Sequence, residues 1–456
     1  MHQAQAHATW SSRIVFLMAA IGAAVGLGNV WKFPYTAGVS GGGAFVLIYI
    51  VSIAAVAAPI VMAELLIGRR GRRSPVNSFR ELASKAGAST GWRWVGVINV
   101  TAVFLILTFY SVIAGWALAY VPKVVSGAFT GMGSEGVGQE FNELLASPLS
   151  MILWHGIFMI LTIAIVARGV VGGIEKAVKF LMPSLFAMLL VLVGYAAVAG
   201  DFGAAVDFMF SVDFSKINAE VVLAAIGQAF FSVSVAMGLM IAYGAYLPET
   251  VRIPRASFII AGADTLVALL AGLAIFPLVF ANGLDPAEGP GLIFVTLPIA
   301  FGSMPAGSLF GTIFFLLLIF AALTSSIAIM EPIVSWADEQ TAMARGPSAI
   351  LVGTGAWLIG LVTVFSFNVW SGIHPLSAFK TFEGKTIFDL IDYLTSNIML
   401  PLGGILIAVF AGWILSRSDT MDELGLSDGV AYRAWQFGMR FLAPVLVAAV
   451  LVFNLT

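Results

Sequence analysis

The sequence contains no cysteine and few charged residues. Without cysteine among its 456 residues, the chain has no disulfides, no catalytic thiol and no Cys-ligated metal. Only 10% of the residues are charged and 60% are hydrophobic, whereas soluble domains carry about 25% charged residues. These proportions exclude a soluble globular protein. The formal net charge of −2 also argues against binding of nucleic acid.

Long apolar runs recur from residue 13 to residue 455, and the mean hydropathy is +1.00. Continuous apolar runs exclude an outer-membrane barrel, whose strands alternate apolar and polar side chains. Each helical crossing needs about 20 apolar residues, so the sequence predicts an all-α polytopic membrane protein with about eleven transmembrane helices. The predicted spans are 13 to 37, 43 to 69, 95 to 123, 150 to 167, 176 to 198, 220 to 246, 257 to 282, 307 to 337, 348 to 370, 386 to 416 and 434 to 455.

The basic residues predict the orientation of these spans. With the N-terminus in the cytoplasm, all but five of the 22 Lys and Arg face inside. The five on the other side are Lys32, Lys123, Lys216, Lys380 and Lys385. Because cytoplasmic loops carry an excess of Lys and Arg, we expect a multi-pass protein of the inner or plasma membrane, with a cytoplasmic N-terminus and a C-terminus outside.

Helix breakers lie near the middle of the first and sixth spans. They are Gly22, Gly26, Gly28 and Asn29 in the first, and Ser232, Ser234 and Gly238 in the sixth. One glycine alone would indicate only close helix packing. Paired interruptions at corresponding positions instead indicate two five-helix repeats of inverted topology, with a transporter's central site at the breaks. We expect the first repeat at residues 1–200, the inverted second repeat at 201–416 and the eleventh span at 417–456.

Several stretches resemble a known family. They are GAAVGLGNVWKFPY at 22–35, GGGAF at 41–45, RGVVGGIEKAVKFLMP at 168–183, GQAFFSVSVAMG at 227–238 and LTSSIAIMEP at 323–332. Their order and spacing resemble the neurotransmitter:sodium symporter family, and among its members the bacterial amino acid transporters similar to the leucine transporter. The resemblance implies a sodium-coupled transporter with unwound helices 1 and 6. The sequence contains no Walker motif, no HExxH pattern and no nucleophile with a base, so it does not indicate an enzyme.

The resemblance also implies two sodium ions at the breaks. The first is expected to bind oxygens of Ala24, Asn29, Ser232 and Asp264, together with the substrate's carboxylate. The second is expected at Gly22, Val25, Ala321, Thr324 and Ser325. Carbonyl and hydroxyl oxygens suit a hard cation. The alternative role for Thr324 and Ser325 is a hydrogen bond to the preceding helical turn.

Asp264 is the most informative single residue, because members of the family frequently have asparagine at this place. An aspartate near the bilayer centre costs about 2.5 to 3.5 kcal/mol on insertion scales, and such residues usually serve a function. Ala268 stands where chloride-dependent relatives carry a chloride-binding serine. We therefore expect Asp264 to provide a fixed negative charge beside the first sodium ion, so that chloride is not required. Release of a proton by Asp264 on the return step remains an alternative.

The substrate pocket implied by the resemblance is apolar with few polar groups, as expected for a small-molecule site. Its expected residues are Ala24, Leu27, Gly28, Ile106, Tyr110, Phe231, Ser232, Ser234, Met237, Ser325 and Ile329. The Tyr110 hydroxyl is expected to donate to a substrate carboxylate. Gly26 occupies the place where monoamine transporters carry an aspartate for the ligand's ammonium group. Because the protein offers no carboxylate there, the ligand is expected to carry its own acid group and to be zwitterionic. In the sixth-span break, Ala236 replaces a glycine that is usual in the family.

Charged and aromatic residues at the two ends of the pathway resemble the family's gates. The outer pair is expected to be Lys32 and Asp392. The inner gate is expected to involve Trp10, Tyr246, Glu331 and the acidic pair Asp338 and Glu339. No arginine precedes Trp10, which leaves His7 and Arg13 as candidates for the basic partner.

The sequence thus predicts a sodium-coupled symporter that imports a small zwitterionic substrate across the lipid bilayer by alternating access. A neutral amino acid is the first choice of substrate. Taurine, β-alanine or GABA-like zwitterions are alternatives, as are a non-transporting amino acid sensor and proton-coupled uptake on the same fold. The sequence does not indicate an oligomeric state.

Overall fold

The structure is a computed structural model that describes residues 9–286, 291–341 and 343–455. Within these ranges the chain is helical and contains no strand. Nine helices are long and apolar enough to cross a membrane. They are Gly43–Gly71, Thr90–Val125, Pro148–Val166, Val170–Ala199, Ile253–Ala281, Gly307–Thr341, Arg345–Ser366, Ile387–Ile414 and Val430–Leu455. We number them spans 2 to 5 and 7 to 11, in chain order.

Two further spans are broken. Span 1 consists of Arg13–Ala24 and Gly28–Val39, which meet at an angle of 51°. Span 6 consists of Ala219–Ser232 and Leu239–Ala245, separated by residues 233–238. In that gap the backbone is left-handed at Ser234 and Ala236, with φ of 56° and 65°. A left-handed conformation is unfavourable for a residue with a Cβ, so contacts from neighbouring spans must hold this backbone in place.

Shorter helices connect the spans. They are Pro75–Lys85, Ser134–Ala146, Phe202–Phe210, Leu292–Ser303 and Arg417–Leu424. The last of these lies against the end of span 2, where Glu423 pairs with Arg69 and Asp419 pairs with Arg70. Arg69 also donates to the carbonyl of Val251 at 2.6 Å. Span 2, the segment after span 6 and the segment between spans 10 and 11 therefore meet at one end of the bundle.

Burial differs strongly among the spans and shows where the core lies. In span 8, 83% of the most apolar window is buried, and in span 3 the figure is 67%. In span 11 it is only 28%, and in span 4 it is 33%. Spans 3 and 8 therefore form the centre of the bundle beside the two broken spans, and spans 4 and 11 lie at its periphery. A lipid-facing helix can remain apolar on its exposed side, so low burial here does not indicate a polar surface.

The predicted fold class is confirmed, and the span ends agree within a few residues. Span 5 is the largest departure, since its helix begins at Val170 and not at residue 176. The helices of spans 1 and 6 are interrupted at the positions that the glycine, serine and asparagine residues within them predicted. The division into repeats at residues 1–200 and 201–416, with residues 417–456 as a final unit, stays a prediction.

Candidate functional site

Four spans meet at a buried polar cluster beside the break in span 1. The Asn29 amide nitrogen donates to the Ser232 hydroxyl at 3.1 Å and to Asp264 Oδ1 at 2.7 Å. The Ser232 hydroxyl donates to Asp264 Oδ2 at 2.7 Å, and the Tyr49 hydroxyl donates to Ser232 Oγ at 3.0 Å. All four side chains are buried. The structure thus brings together three of the four residues predicted for the first sodium ion, and the fourth, Ala24, ends the preceding helix.

The charge of Asp264 is not balanced within this cluster. Its carboxylate accepts hydrogen bonds from Asn29, Ser232 and Tyr49, and no basic side chain pairs with it among the residues that the structure describes. The Asn29 side-chain oxygen accepts from the Gly26 N–H at 3.0 Å. That oxygen was predicted to be a sodium ligand, and here it bonds the backbone of span 1.

The five residues predicted for the second sodium ion also lie together, where spans 1 and 8 touch. The Ser325 hydroxyl donates to the Val25 carbonyl at 3.0 Å and lies 3.4 Å from the Gly22 carbonyl. The Thr324 hydroxyl donates to the Ala321 carbonyl at 3.0 Å, within its own helix. A Cβ added at Gly22 would lie 3.1 Å from Thr324 Cβ, which shows how closely the two spans approach. Thr324 therefore bonds to the preceding turn, whereas Ser325 reaches across to the unwound backbone.

Gly26 is the point at which span 1 comes closest to two hydroxyl groups. A Cβ added there would lie 2.5 Å from Ser325 Oγ and 3.0 Å from the Tyr110 hydroxyl. The Leu27 N–H lies 3.5 Å from the same Tyr110 hydroxyl. Any side chain at this position must displace these groups, because a Cβ closer than 3.0 Å is not tolerated. The glycine keeps both hydroxyls beside the unwound backbone.

The other predicted pocket residues are mostly buried around these groups. A Cβ added at Gly28 would lie 3.1 Å from the Phe231 ring. The Ser234 hydroxyl donates to the carbonyl of Ala23 at 3.3 Å and joins the two breaks. Side chains that are each 5% exposed or less complete the set: Leu27, Ile106, Met237 and Ile329. The walls are thus apolar, and the polar groups lie at the breaks.

The break in span 6 is bonded on both sides by side chains from other spans. The Ala236 N–H donates to the Glu64 carboxylate at 2.7 Å, and the Asn99 amide donates to the Ala236 carbonyl. Gln228 donates to the carbonyl of Gly28 at 3.1 Å and so links span 6 to span 1. Backbone groups that leave a helix inside a membrane need such partners.

The end of the bundle that carries Trp10 is closed by a network. Trp10 donates from its indole to the Tyr243 carbonyl at 3.0 Å and from its backbone to the Tyr246 carbonyl at 3.1 Å. The Tyr246 hydroxyl donates to Glu331 at 2.8 Å. Arg345 forms a two-pronged ion pair with the same carboxylate, with one N–O distance of 3.1 Å. Residues of spans 1, 6, 8 and 9, or of the segments that adjoin them, are thereby joined.

Arg345 is the basic partner that the sequence left open. Arg13 makes no ion pair among the described residues, and His7 lies outside them. Glu339, predicted as part of this gate, lies elsewhere: its carboxylate accepts from the Ser74 N–H at 2.8 Å and from the Ser74 and Asn77 side chains. It bonds the beginning of the helix Pro75–Lys85, where free N–H groups attract a carboxylate.

The predicted outer pair is apart. The Lys32 ammonium lies 3.8 Å from the centroid of the Phe231 ring, in a cation–π contact. Asp392 accepts from the Ser396 hydroxyl at 2.8 Å, and the described residues include no ion pair between Asp392 and Lys32. A cavity of about 220 Å³ adjoins Lys32 between spans 1, 6, 10 and 11. The two ends of the pathway therefore differ, since one is closed by an ion pair and the other is not.

Sequence reasoning missed three residues that hold the site. Tyr49 and Asn99 are buried polar groups in otherwise apolar spans, which is the signal that could have identified them. Arg345 is the first Lys or Arg after Glu331 in the sequence, which is the signal that could have identified it. Its contact with Glu331 joins spans 8 and 9, and hydropathy does not reveal such a contact.

Comparison with known proteins agrees with this arrangement. A sequence model described as the sodium:neurotransmitter symporter family matches residues 7–132 and 146–456. The chain belongs to this family. It is 37% identical over 444 residues to an uncharacterised sodium-dependent transporter, YhdH, of Bacillus subtilis, and the match covers 97% of this chain and 96% of that one. It is 25% identical over 503 residues to the human sodium- and chloride-dependent taurine transporter, covering 98% and 78% of the two chains.

A solved structure shares the whole fold. The crystal structure of MhsT in complex with L-phenylalanine superimposes with a TM-score of 0.88 and 41% sequence identity, covering 98% of this chain and 99% of that one. The chain is therefore a multi-pass membrane protein of a sodium-dependent transporter family, and the prediction that it is not an enzyme is confirmed.

Proposed function

We propose that this protein is a sodium-coupled symporter that imports a neutral α-amino acid with an apolar side chain by alternating access. The observation that carries the proposal is the buried cluster of Asn29, Ser232 and Asp264 at the meeting point of the two breaks. A buried carboxylate that accepts from Asn29 and Ser232, and that has no basic partner among the described residues, favours a cation. Oxygen ligands on a partly unwound helix suit sodium.

The geometry at Gly26 supports a zwitterionic substrate. The position has no room for an acidic side chain, so the protein offers no carboxylate to a substrate ammonium at this place. The Tyr110 hydroxyl and the Leu27 N–H lie 3.5 Å apart beside the break, and both suit a substrate carboxylate. A substrate carboxylate beside Asp264 would in turn add to the attraction for the first sodium ion.

The proposed preference for apolar side chains is supported by the walls of the pocket. Ile106, Met237 and Ile329 are buried and carry no polar group, and the Phe231 ring adjoins Gly28. A flexible thioether such as that of Met237 adapts to side chains of different shape. MhsT, which shares 41% of its residues with this chain, has been solved with L-phenylalanine bound.

Two sodium ions are proposed, at the cluster around Asp264 and at the contact of Ser325 with Gly22 and Val25. Moving two positive charges through 100 mV yields roughly 4.6 kcal/mol, about a thousandfold accumulation. Chloride is proposed to be unnecessary, because Asp264 supplies a fixed negative charge and Ala268 offers no hydroxyl. Uptake that depends strictly on chloride would contradict this part of the proposal.

Thermal stabilisation of the purified protein tests the substrate and the coupled ion together. Binding to the folded state raises the melting temperature by mass action. A panel of neutral amino acids, with taurine, β-alanine and GABA, is measured in sodium and in potassium at equal ionic strength. Stabilisation by apolar amino acids in sodium alone is expected. Equal stabilisation in both salts would contradict sodium coupling, and a response only to taurine or GABA would replace the proposed substrate.

Uptake into proteoliposomes separates transport from sensing. A labelled amino acid identified by the thermal panel should accumulate when sodium is higher outside. Binding without accumulation would favour a sensor, and accumulation driven by a proton gradient without sodium would favour proton coupling. Asp264→Asn should abolish the sodium response, and Asp207→Asn, on the exposed helix Phe202–Phe210, serves as the matched control.

A further inference from the structure

Arg440 is a charged residue inside a membrane span. It lies about 15 Å along span 11 from Val430, at 1.5 Å per residue. Its Nε donates to the carbonyl of Gly412 at 2.7 Å, two residues before span 10 ends at Ile414. The side chain is half-buried, and the described residues give it no carboxylate partner. An arginine at this depth needs a compensating group, and the one backbone bond leaves the other guanidinium donors unused.

Spans 10 and 11 are shaped around this side chain. Gly412 lies in the π-helical turn Phe410–Ile414, and Arg440 lies in the π-helical turn Gly438–Leu442. A Cβ added at Gly412 would lie 3.1 Å from Arg440 Cγ, so the glycine makes room for the stem of the arginine. The Trp413 indole donates back to the Arg440 carbonyl at 3.3 Å.

A tryptophan ring packs against the guanidinium, and two phenylalanine rings continue this aromatic surface on the outside of the bundle. Its carbon lies 5.0 Å from the centroid of the Trp413 ring. The exposed fractions are 53% for Trp413, 58% for Phe437 and 47% for Phe441. Trp413 contacts Phe441 edge-on at a centroid distance of 5.6 Å. Trp413 lies one residue before the end of span 10, and tryptophan is enriched at the level of the lipid headgroups. The exposed faces of the three rings belong to membrane spans, so lipid covers them.

We propose that Arg440 and the surrounding rings of Trp413, Phe437 and Phe441 form a binding site for an anionic phospholipid. The lipid phosphate accepts from the free guanidinium donors, and the acyl chains cover the rings. Arginine binds phosphate oxygens through two parallel hydrogen bonds, which suits this geometry. A headgroup with net negative charge is favoured over a zwitterionic one, because Arg440 is a cation and the described residues give it no carboxylate partner. In the predicted orientation the lipid belongs to the cytoplasmic leaflet.

The same helix provides a matched control. Arg433 is also in span 11, but it is 69% exposed and pairs with Asp428 at 3.1 Å. Its charge is thus already compensated outside the bilayer. Removal of either charge changes the net charge of the protein equally, so only a local site distinguishes the two variants.

Native mass spectrometry of delipidated protein with added phosphatidylglycerol or phosphatidylcholine tests the site. The wild type is expected to bind one phosphatidylglycerol more tightly than phosphatidylcholine. Arg440→Gln is expected to lose at least tenfold in that affinity, and Arg433→Gln less than twofold. Arg440→Lys retains the charge but lacks the paired N–H donors of a guanidinium group, so its affinity for phosphatidylglycerol should lie between those of the two glutamine variants. An unchanged affinity in Arg440→Gln, an equal loss in Arg433→Gln, or equal binding of the two lipids by the wild type would overturn the proposal.

A second readout covers the case in which Arg440→Gln fails to fold. Phosphatidylglycerol with brominated acyl chains quenches nearby tryptophan fluorescence. Brominated phosphatidylglycerol should quench the wild type more strongly than it quenches Trp413→Phe. In the wild type it should also quench more strongly than brominated phosphatidylcholine does. Equal quenching in the wild type and Trp413→Phe would contradict a lipid at this place.

Discussion

The unwound backbone of span 6 is bonded by Glu64 and Asn99, which take up the N–H and the C=O of Ala236. The unwound backbone of span 1 is bonded by Asn29 and Ser325, both of which are predicted sodium ligands. The first pair of side chains has no place in the predicted substrate or ion sites. The second pair would therefore serve both the unwound backbone and the ions.

This difference assigns different tasks to the two breaks. We interpret the break in span 6 as part of the scaffold, because Glu64 and Asn99, which bond Ala236, are not predicted ligands. The break in span 1 is satisfied by the same polar groups that receive the ligands. Substitutions at the two breaks should therefore separate stability from ligand binding.

The largest effect is expected from Asp264→Ala. Removing one partner of a buried charge pair costs about 3 to 5 kcal/mol, which corresponds to a loss of sodium affinity of at least about a hundredfold. The measurement is the sodium concentration needed for half-maximal thermal stabilisation in the presence of substrate. The melting temperature without sodium should change much less than the sodium affinity, since removal of an unbalanced charge offsets the loss of the hydrogen bonds from Asn29 and Ser232. A parallel loss of stability without sodium would mean that Asp264 has only a structural role.

Glu64→Leu is expected to act on the other break. Loss of the acceptor leaves the buried Ala236 N–H without a partner, which costs about 1 to 3 kcal/mol of unfolding free energy. The melting temperature without ligand should therefore fall, and the sodium dependence of the remaining stabilisation should be retained. Glu64→Gln keeps an oxygen acceptor and serves as the control. Loss of sodium dependence in folded Glu64→Leu would contradict the division between the two breaks.

Gly26→Ala tests the close approach at the break in span 1. The added Cβ would lie 2.5 Å from Ser325 Oγ, so the hydroxyl must move away from the Val25 carbonyl. We expect about a tenfold loss of substrate affinity, or ~1.4 kcal/mol. Gly194→Ala is the control, because a Cβ there meets nothing within 4 Å. Equal affinities in the two variants would show that substrate binds away from residue 26.

The smallest effect, and of opposite sign, is expected from Ala236→Gly. At φ of 65° the alanine is strained by about 1 to 2 kcal/mol, whereas glycine is not. The entropy of glycine in the unfolded chain offsets part of this gain, so a stabilisation of about 0.5 kcal/mol is expected. Denaturation followed by helical circular dichroism measures it. A destabilised glycine variant would indicate that the alanine methyl group packs usefully in the break.

Much of the fold followed from the sequence, because apolar runs of about 20 residues translate directly into spans. The breaks were also predicted, since glycine, serine and asparagine are conspicuous within such runs. The members of both predicted sodium sites lie together, but the orientation of the Asn29 amide could not be predicted. It depends on hydrogen bonds between spans that are distant in sequence.

The gates were predicted less well, for a physical reason. Charge pairs at the ends of spans depend on the relative heights of the helices and on the conformations of the turns. Glu339 bonds the helix Pro75–Lys85 because that helix begins beside it, and hydropathy does not reveal such a contact. Arg345 pairs with Glu331 across a short turn for the same kind of reason.

Sodium-driven accumulation of a labelled apolar amino acid in proteoliposomes is the most direct test of the central claim. Wild-type protein should accumulate the substrate in a sodium gradient, equally well with chloride or gluconate as the anion. Asp264→Asn should reduce accumulation to the level of protein-free liposomes. Accumulation that persists in Asp264→Asn, or that requires chloride in the wild type, would contradict the role assigned to this carboxylate.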